Sequence, residues 1–94
     1  MRHHILVKWK QPPADQTALI REVEQIFQDA LQIPGIHRLE VLPNMVHRPT
    51  RYDLLIVLTM DPEALEVYDA GEAHHRWKDS YGDLIASKAI FDCD

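Results

Sequence analysis

The sequence has one cysteine, Cys93, among its 94 residues. That excludes an intramolecular disulfide and any cysteine-ligated metal cluster. Glycine is scarce, with three residues, and six prolines carry most of the punctuation. Positive charge is also short. Ten Lys and Arg face fifteen Asp and Glu, for a formal net charge of −5 with histidine neutral. Nucleic-acid binding calls for a basic footprint, and Arg48 and Arg51 in one loop are too few to supply it. No apolar run approaches transmembrane length. The apolar stretch near the N-terminus is too short for a signal h-region before charge returns at Lys8. The expected setting is therefore cytoplasmic, with neither a membrane nor a nucleic acid as partner. Ninety-four residues make one domain, 1–94, of modest stability, which a dimer interface would raise.

What the sequence does have is a segment, Tyr52–Met60, that is apolar on both faces as a strand. Side chains alternate along a strand, so a half-solvated strand alternates apolar and polar. Here Tyr52, Leu54, Ile56, Leu58 and Met60 form one face, and Leu55 and Val57 form the other. Something must cover each face. Because the second set is smaller, we expect Leu55 and Val57 to point away from the helices, where room must be left for a ligand.

The remaining elements follow from periodicity and punctuation. A first strand covers about His3 to Lys10, with Ile5, Val7 and Trp9 on one face and His4, Leu6 and Lys8 on the other. A helix covers about Ala14 to Gln32, its apolar stripe running through Leu19, Val23, Ile26, Phe27, Ala30 and Leu31. Pro34 and Gly35 stop it. A second strand runs from Ile36 to Leu42. His37, Leu39 and Val41 share one face, and Ile36, Arg38 and Glu40 share the other. A loop follows to Thr50. After the third strand, Asp61-Pro62-Glu63 marks a helix start, with Asp61 as the cap and Gly71 as the C′ residue. A further helical stretch covers Glu72 to Ile85, weakened at Gly82, and a last strand covers Ser87 to Asp92. The order β-α-β-β-α-β is the ferredoxin-like pattern: an α+β fold with a four-stranded antiparallel sheet and helices on one face. Two such sheets pairing face to face would cover the open side.

Several segments, taken in order, give a family resemblance. They are His4-Ile5-Leu6-Val7-Lys8-Trp9-Lys10, Ile33-Pro34-Gly35-Ile36, Tyr52-Asp53-Leu54-Leu55, Asp61-Pro62-Glu63-Ala64-Leu65, Tyr68 with His74, and Ile90-Phe91-Asp92. Across almost its whole length the chain resembles the stress-responsive dimeric α/β barrel (Dabb) proteins. The resemblance implies a homodimer whose sheets form a barrel, with a cavity in each half. It implies no single activity. One plant member is a polyketide cyclase using a tyrosine and a histidine, and related dimeric barrels include cofactor-free monooxygenases. The family's second-helix region reads tyrosine, two residues, His-Pro, one residue, histidine. Tyr68 and His74 match the outer positions, Gly71-Glu72 replaces the His-Pro pair, and Trp77 holds the aromatic position that follows.

The candidate catalytic residues are His74 as proton acceptor or relay, Tyr68 as oxyanion donor and His4 as an assistant. The candidate pocket lining is Leu6, Leu55, Val57 and Trp77. Each has an ordinary structural alternative. His74 can serve simply to hold the helix break, His4 can be a satisfied polar group, and Trp77 can be plain core. No histidine spacing chelates an ion, since His3-His4 and His74-His75 are adjacent pairs, so no metal and no cofactor is expected. A small apolar or aromatic ligand is the expected partner besides a second copy. The alternatives are a non-catalytic dimer and a cofactor-free oxygenase.

Overall fold

Strand alternation decides which side of the sheet is dry. The computed structural model describes residues 1–94. Strand β1 (Arg2–Trp9) pairs antiparallel with β3 (Leu54–Met60), placing Ile5 opposite Ile56 and Val7 opposite Leu54. Strand β2 (Ile36–Pro43) lies outside β3, and β4 (Ile85–Cys93) lies outside β1. The sheet order is β2-β3-β1-β4, antiparallel throughout. The first and third strands are central, as the ferredoxin-like topology requires, and the third, apolar on both faces, suits that place.

Residues opposed across a ladder share a face. Ile5, Val7, Leu54, Ile56, Leu58 and Met60 therefore form one apolar face and are all buried. Three helices cover it: α1 (Gln16–Gln28), α2 (Leu65–Asp69) and α3 (Glu72–Tyr81). Val23, Ile26 and Phe27 of α1 join Tyr68 of α2 and Ala73, Trp77 and Tyr81 of α3 in one core with that face. The opposite face carries His4, Leu6, Leu55, Val57, Ala89 and Phe91, and no helix crosses it. Leu55 and Val57 thus point away from the helices, as the size of the two sets predicts.

The element ends differ from the sequence reading for local reasons. Helix α1 begins at Gln16 because Asp15 Oδ1 accepts the Ala18 N–H at 3.0 Å, satisfying one of the free donors of the first turn. Beyond Gln28 the helix tightens into a 3₁₀ turn, Asp29–Gln32. Strand β3 starts at Leu54, since Asp53 turns its carboxylate onto the Trp9 N–H at 2.8 Å where β1 ends. In β2 an extra residue at His37 shifts the register. Ile36 consequently joins Leu39 and Val41 on the helix side, away from Arg38 and Glu40; bulges of this kind re-aim side chains.

Two caps are also reassigned. The Asp61 side chain does not cap the segment it precedes; its carboxylate accepts from His37 Nε2 at 3.1 Å, and a 3₁₀ turn, Pro62–Ala64, leads into α2. Gly71 is not a left-handed C′ residue. It is extended (φ −83°, ψ 167°) and precedes α3 directly. The break it makes places the end of α2 and the start of α3 side by side over the sheet.

Gly35 is the position where backbone freedom is required, with φ 93°. A Cβ there would stand 3.3 Å from the Ala64 Cβ and from the Asp61 carboxylate. Gly35→Ala is expected to lower stability by about 1–2 kcal/mol, read as a shift of the urea midpoint with an unchanged slope.

Candidate functional site

His3, rather than His4, shares the helix-facing side of β1 with Ile5 and Val7. It is 5% exposed and is the one polar residue buried with the core. A buried imidazole needs a partner, and the β1–β4 register supplies Asp92 directly opposite. Asp92 Oδ1 lies 2.6 Å from His3 Nδ1. An ionised carboxylate only accepts, so Nδ1 is the donor and Nε2 is left free.

Two further residues reach this point from the helix break. Tyr68 is the penultimate residue of α2 and is 1% exposed. Its ring stands 5.5 Å from His3 and 5.3 Å from His74, centre to centre. His74, in the first turn of α3, donates from Nδ1 to the Asp69 carbonyl oxygen at 2.8 Å. A carbonyl fixes the tautomer as a carboxylate does, so in the neutral imidazole the lone pair lies on Nε2. The Gly71 break makes this bond possible by bringing the last carbonyls of α2 near the start of α3.

The Tyr68 hydroxyl has no protein group within hydrogen-bonding reach. A buried hydroxyl without a partner loses roughly 1–3 kcal/mol of solvation. Burial first, and the Asp69 charge second, push its pKa well above the ordinary 10. It therefore stays a neutral donor at physiological pH.

His3, Tyr68 and His74 line one hollow of about 230 Å³, with Ile5, Leu65 and Trp77 among its apolar walls. That is below the ~300 Å³ of the smaller common ligand pockets, room for a compound of about one ring. Chemically it offers two imidazoles and one phenolic donor, with the charged side chains of Asp69, Lys88 and Asp92 also in its lining. A base removes a proton, and a fixed O–H donor steadies the oxyanion that results.

The site residues expected from sequence fall into two groups on opposite sides of the sheet. Tyr68, His74 and Trp77 are on the helix side. His4, Leu6, Leu55 and Val57 are on the open side. His4 does not meet His74. Its ring packs 6.2 Å from Phe91, and its Nδ1 lies 3.0 Å from the Phe91 carbonyl oxygen. Leu6 and Leu55 line a shallow open hollow with His4, Ala89 and Phe91, while Val57 is buried across the ladder from His4. The expectation of one cavity holding both groups is corrected by alternation: neighbours on a strand cannot face the same way. Sequence reasoning missed His3 and Asp92. The usable signal was phase, since His3 keeps step with Ile5, Val7 and Trp9.

The chain is thus a ferredoxin-like α+β domain with a histidine–tyrosine hollow between helices and sheet. No protein-family model and no curated protein matches the sequence. Solved structures match its fold closely. A dimeric ferredoxin-like protein of unknown function from Bacteroides fragilis superposes with a TM-score of 0.75 at 15% identity, covering 99% of this chain and 93% of that one. A dabb family protein with a ferredoxin-like fold from Mesorhizobium loti gives 0.65 at 17% identity, over 99% and 93%. The hydroxynitrile lyase of Passiflora edulis gives 0.70 at 9% identity, over 96% and 87%. At these identities the likeness is one of fold.

Proposed function

We propose that this is a Dabb-type homodimer that carries out cofactor-free proton transfer on a small aromatic or polyketide-like carbonyl compound. The observation that carries the chemistry is the Tyr68 hydroxyl, buried and without a protein partner, on a ring packed against two imidazoles whose Nδ1 atoms are already engaged. In this reading His74 Nε2 takes a proton α to the carbonyl, and Tyr68 donates to the developing enolate oxygen. His74 exchanges that proton with solvent and, in D2O, returns a deuteron to the enolate carbon, while Asp92 holds His3 in place beside the same hollow. The hydroxynitrile lyase among the structural neighbours supports the view that this fold hosts lyase chemistry.

A direct test is proton exchange at the methyl group of acetophenone in D2O, followed by 1H NMR. The wild-type protein is expected to exceed the buffer rate, and His74→Ala to lose about 10²–10⁴-fold of the catalysed rate. His4→Ala should leave it unchanged. An equal rate in wild type and His74→Ala would remove His74 from the mechanism.

The dimer is supported by the open sheet face. Leu42 and Phe91 stand 45% and 63% exposed beside Leu6 and Leu55, and two of the three neighbours above are described as dimeric or as dabb proteins. Sedimentation equilibrium should give twice the chain mass of 10.9 kDa, and Phe91→Asp should give the single chain. A wild-type monomer at micromolar concentration would remove the barrel.

A further inference from the structure

At the end of the sheet remote from Tyr68, the chain carries a second hollow with a different character. Strand β1 leaves the sheet at Trp9, and the Pro12-Pro13 turn carries the chain up to α1. Pro12 and Pro13 form a ridge with Trp9 at its foot. On one side of the ridge lies a hollow of about 400 Å³ whose apolar walls are Trp9, Leu19, Tyr81 and Leu84. On the other side lies one of about 520 Å³, lined by Lys8, His47, Arg48 and Asp53. Both hollows include Trp9, Pro12 and Pro13, so they meet at these residues, and the groove comprises the two.

The polar half is cationic in a protein of net charge −5. No acidic side chain lies within ion-pair distance of Lys8 or Arg48; the four ion pairs of the fold involve His3, His37, Arg38 and Arg76. The one carboxylate in this half, Asp53, is engaged by the Trp9 N–H. The loop that carries Arg48 is held in place. Lys8 Nζ donates to the carbonyls of Pro49 and Arg51 at 3.0 and 2.9 Å, the Arg51 N–H donates to the Arg48 carbonyl, and Asn44 Nδ2 donates to the Tyr52 carbonyl. Arg48 therefore projects from a braced turn, with its guanidinium uncommitted. Leu84, 54% exposed at the other end of the groove, is uncovered apolar surface.

We infer that this groove binds an amphipathic anion: a carboxylate or phosphate head on Arg48 and Lys8, and an acyl or aromatic tail across Trp9 toward Leu84. A planar guanidinium suits either head, since both accept paired N–H donors. The head replaces water on the uncommitted Arg48 guanidinium and takes the Lys8 N–H left over from its two carbonyl bonds, and the tail covers the exposed Leu84. This site is separate from the Tyr68 hollow and does not depend on its chemistry.

The test uses octanoate, octyl phosphate and neutral 1-octanol, each below its micelle or solubility limit. The readout is the assigned Trp9 indole N–H in a 1H–15N spectrum. Octanoate or octyl phosphate should shift this resonance saturably, the tighter of the two identifying the head. Octanol should bind at least about tenfold more weakly. Arg48→Glu and Leu84→Asp, both at exposed positions, should each weaken the better anion by about tenfold or more while leaving the melting temperature unchanged. If neither anion moves the Trp9 resonance, or if Arg48→Glu binds as tightly as wild type, the groove is no anion site and the inference fails.

Discussion

Trp77→Ala is expected to lower the unfolding free energy by about 3–5 kcal/mol. Trp77 is 1% exposed and is the hub of the aromatic core. Its ring lies 5.2 Å from Tyr81, 5.4 Å from Phe27 and 6.3 Å from Trp9. Truncation removes the side chain that ties α3 to α1 and to the sheet. Three rings around the space cannot all collapse into it, so most of the cavity remains. A chain of this length has a total stability of about 5–14 kcal/mol, of which this one substitution takes a large share. Urea unfolding should show a midpoint lowered to match, and Trp77→Phe should recover about half of the loss by filling part of the cavity. A loss below about 1 kcal/mol would mean that the aromatic cluster is not the core of the fold.

The strand order and the identity of the core were legible because they rest on periodicity. Ile5, Val7, Leu54, Ile56 and Leu58 alternate in phase, and the α1 stripe through Val23, Ile26 and Phe27 repeats at helical spacing. The site was less legible because it is assembled by register. His3 meets Asp92 across 89 residues of chain only when β1 and β4 align residue for residue, and nothing local to either residue records that alignment. Phase alone separates His3 from His4, yet chemistry makes them look equivalent. The caps were misplaced for a similar reason. Asp61 has the right residue type for a cap, but the bulge at His37 offers its carboxylate a tertiary partner instead.

Tyr68→Phe is expected to move stability and activity in opposite directions. The substitution removes one oxygen from a site where that oxygen has no protein partner. The ring keeps its stacking on Phe27 at 6.5 Å and its contact with His74. Relief of the desolvated hydroxyl should leave the protein as stable as wild type or more so, by up to about 1–3 kcal/mol. The same change removes the neutral donor for an enolate oxygen. Loss of one such donor slows reactions of this type by about 10²–10³-fold. A purely structural tyrosine would behave otherwise, with stability falling and no rate to lose. Asp92→Asn gives an intermediate case. It keeps the shape at His3 but removes the charge that orients the imidazole, and it should slow exchange less than Tyr68→Phe does.

The measurement that bears most directly on this account pairs two readings on one sample: the acetophenone proton-exchange rate in D2O and the melting temperature, for wild type and Tyr68→Phe. The account predicts exchange above buffer for wild type, about 10²–10³-fold less catalysis in Tyr68→Phe, and a melting temperature that is unchanged or raised. Exchange at the same rate in both proteins, or a lower melting temperature in Tyr68→Phe, would contradict it, because the hydroxyl would then be serving the fold and not a ligand.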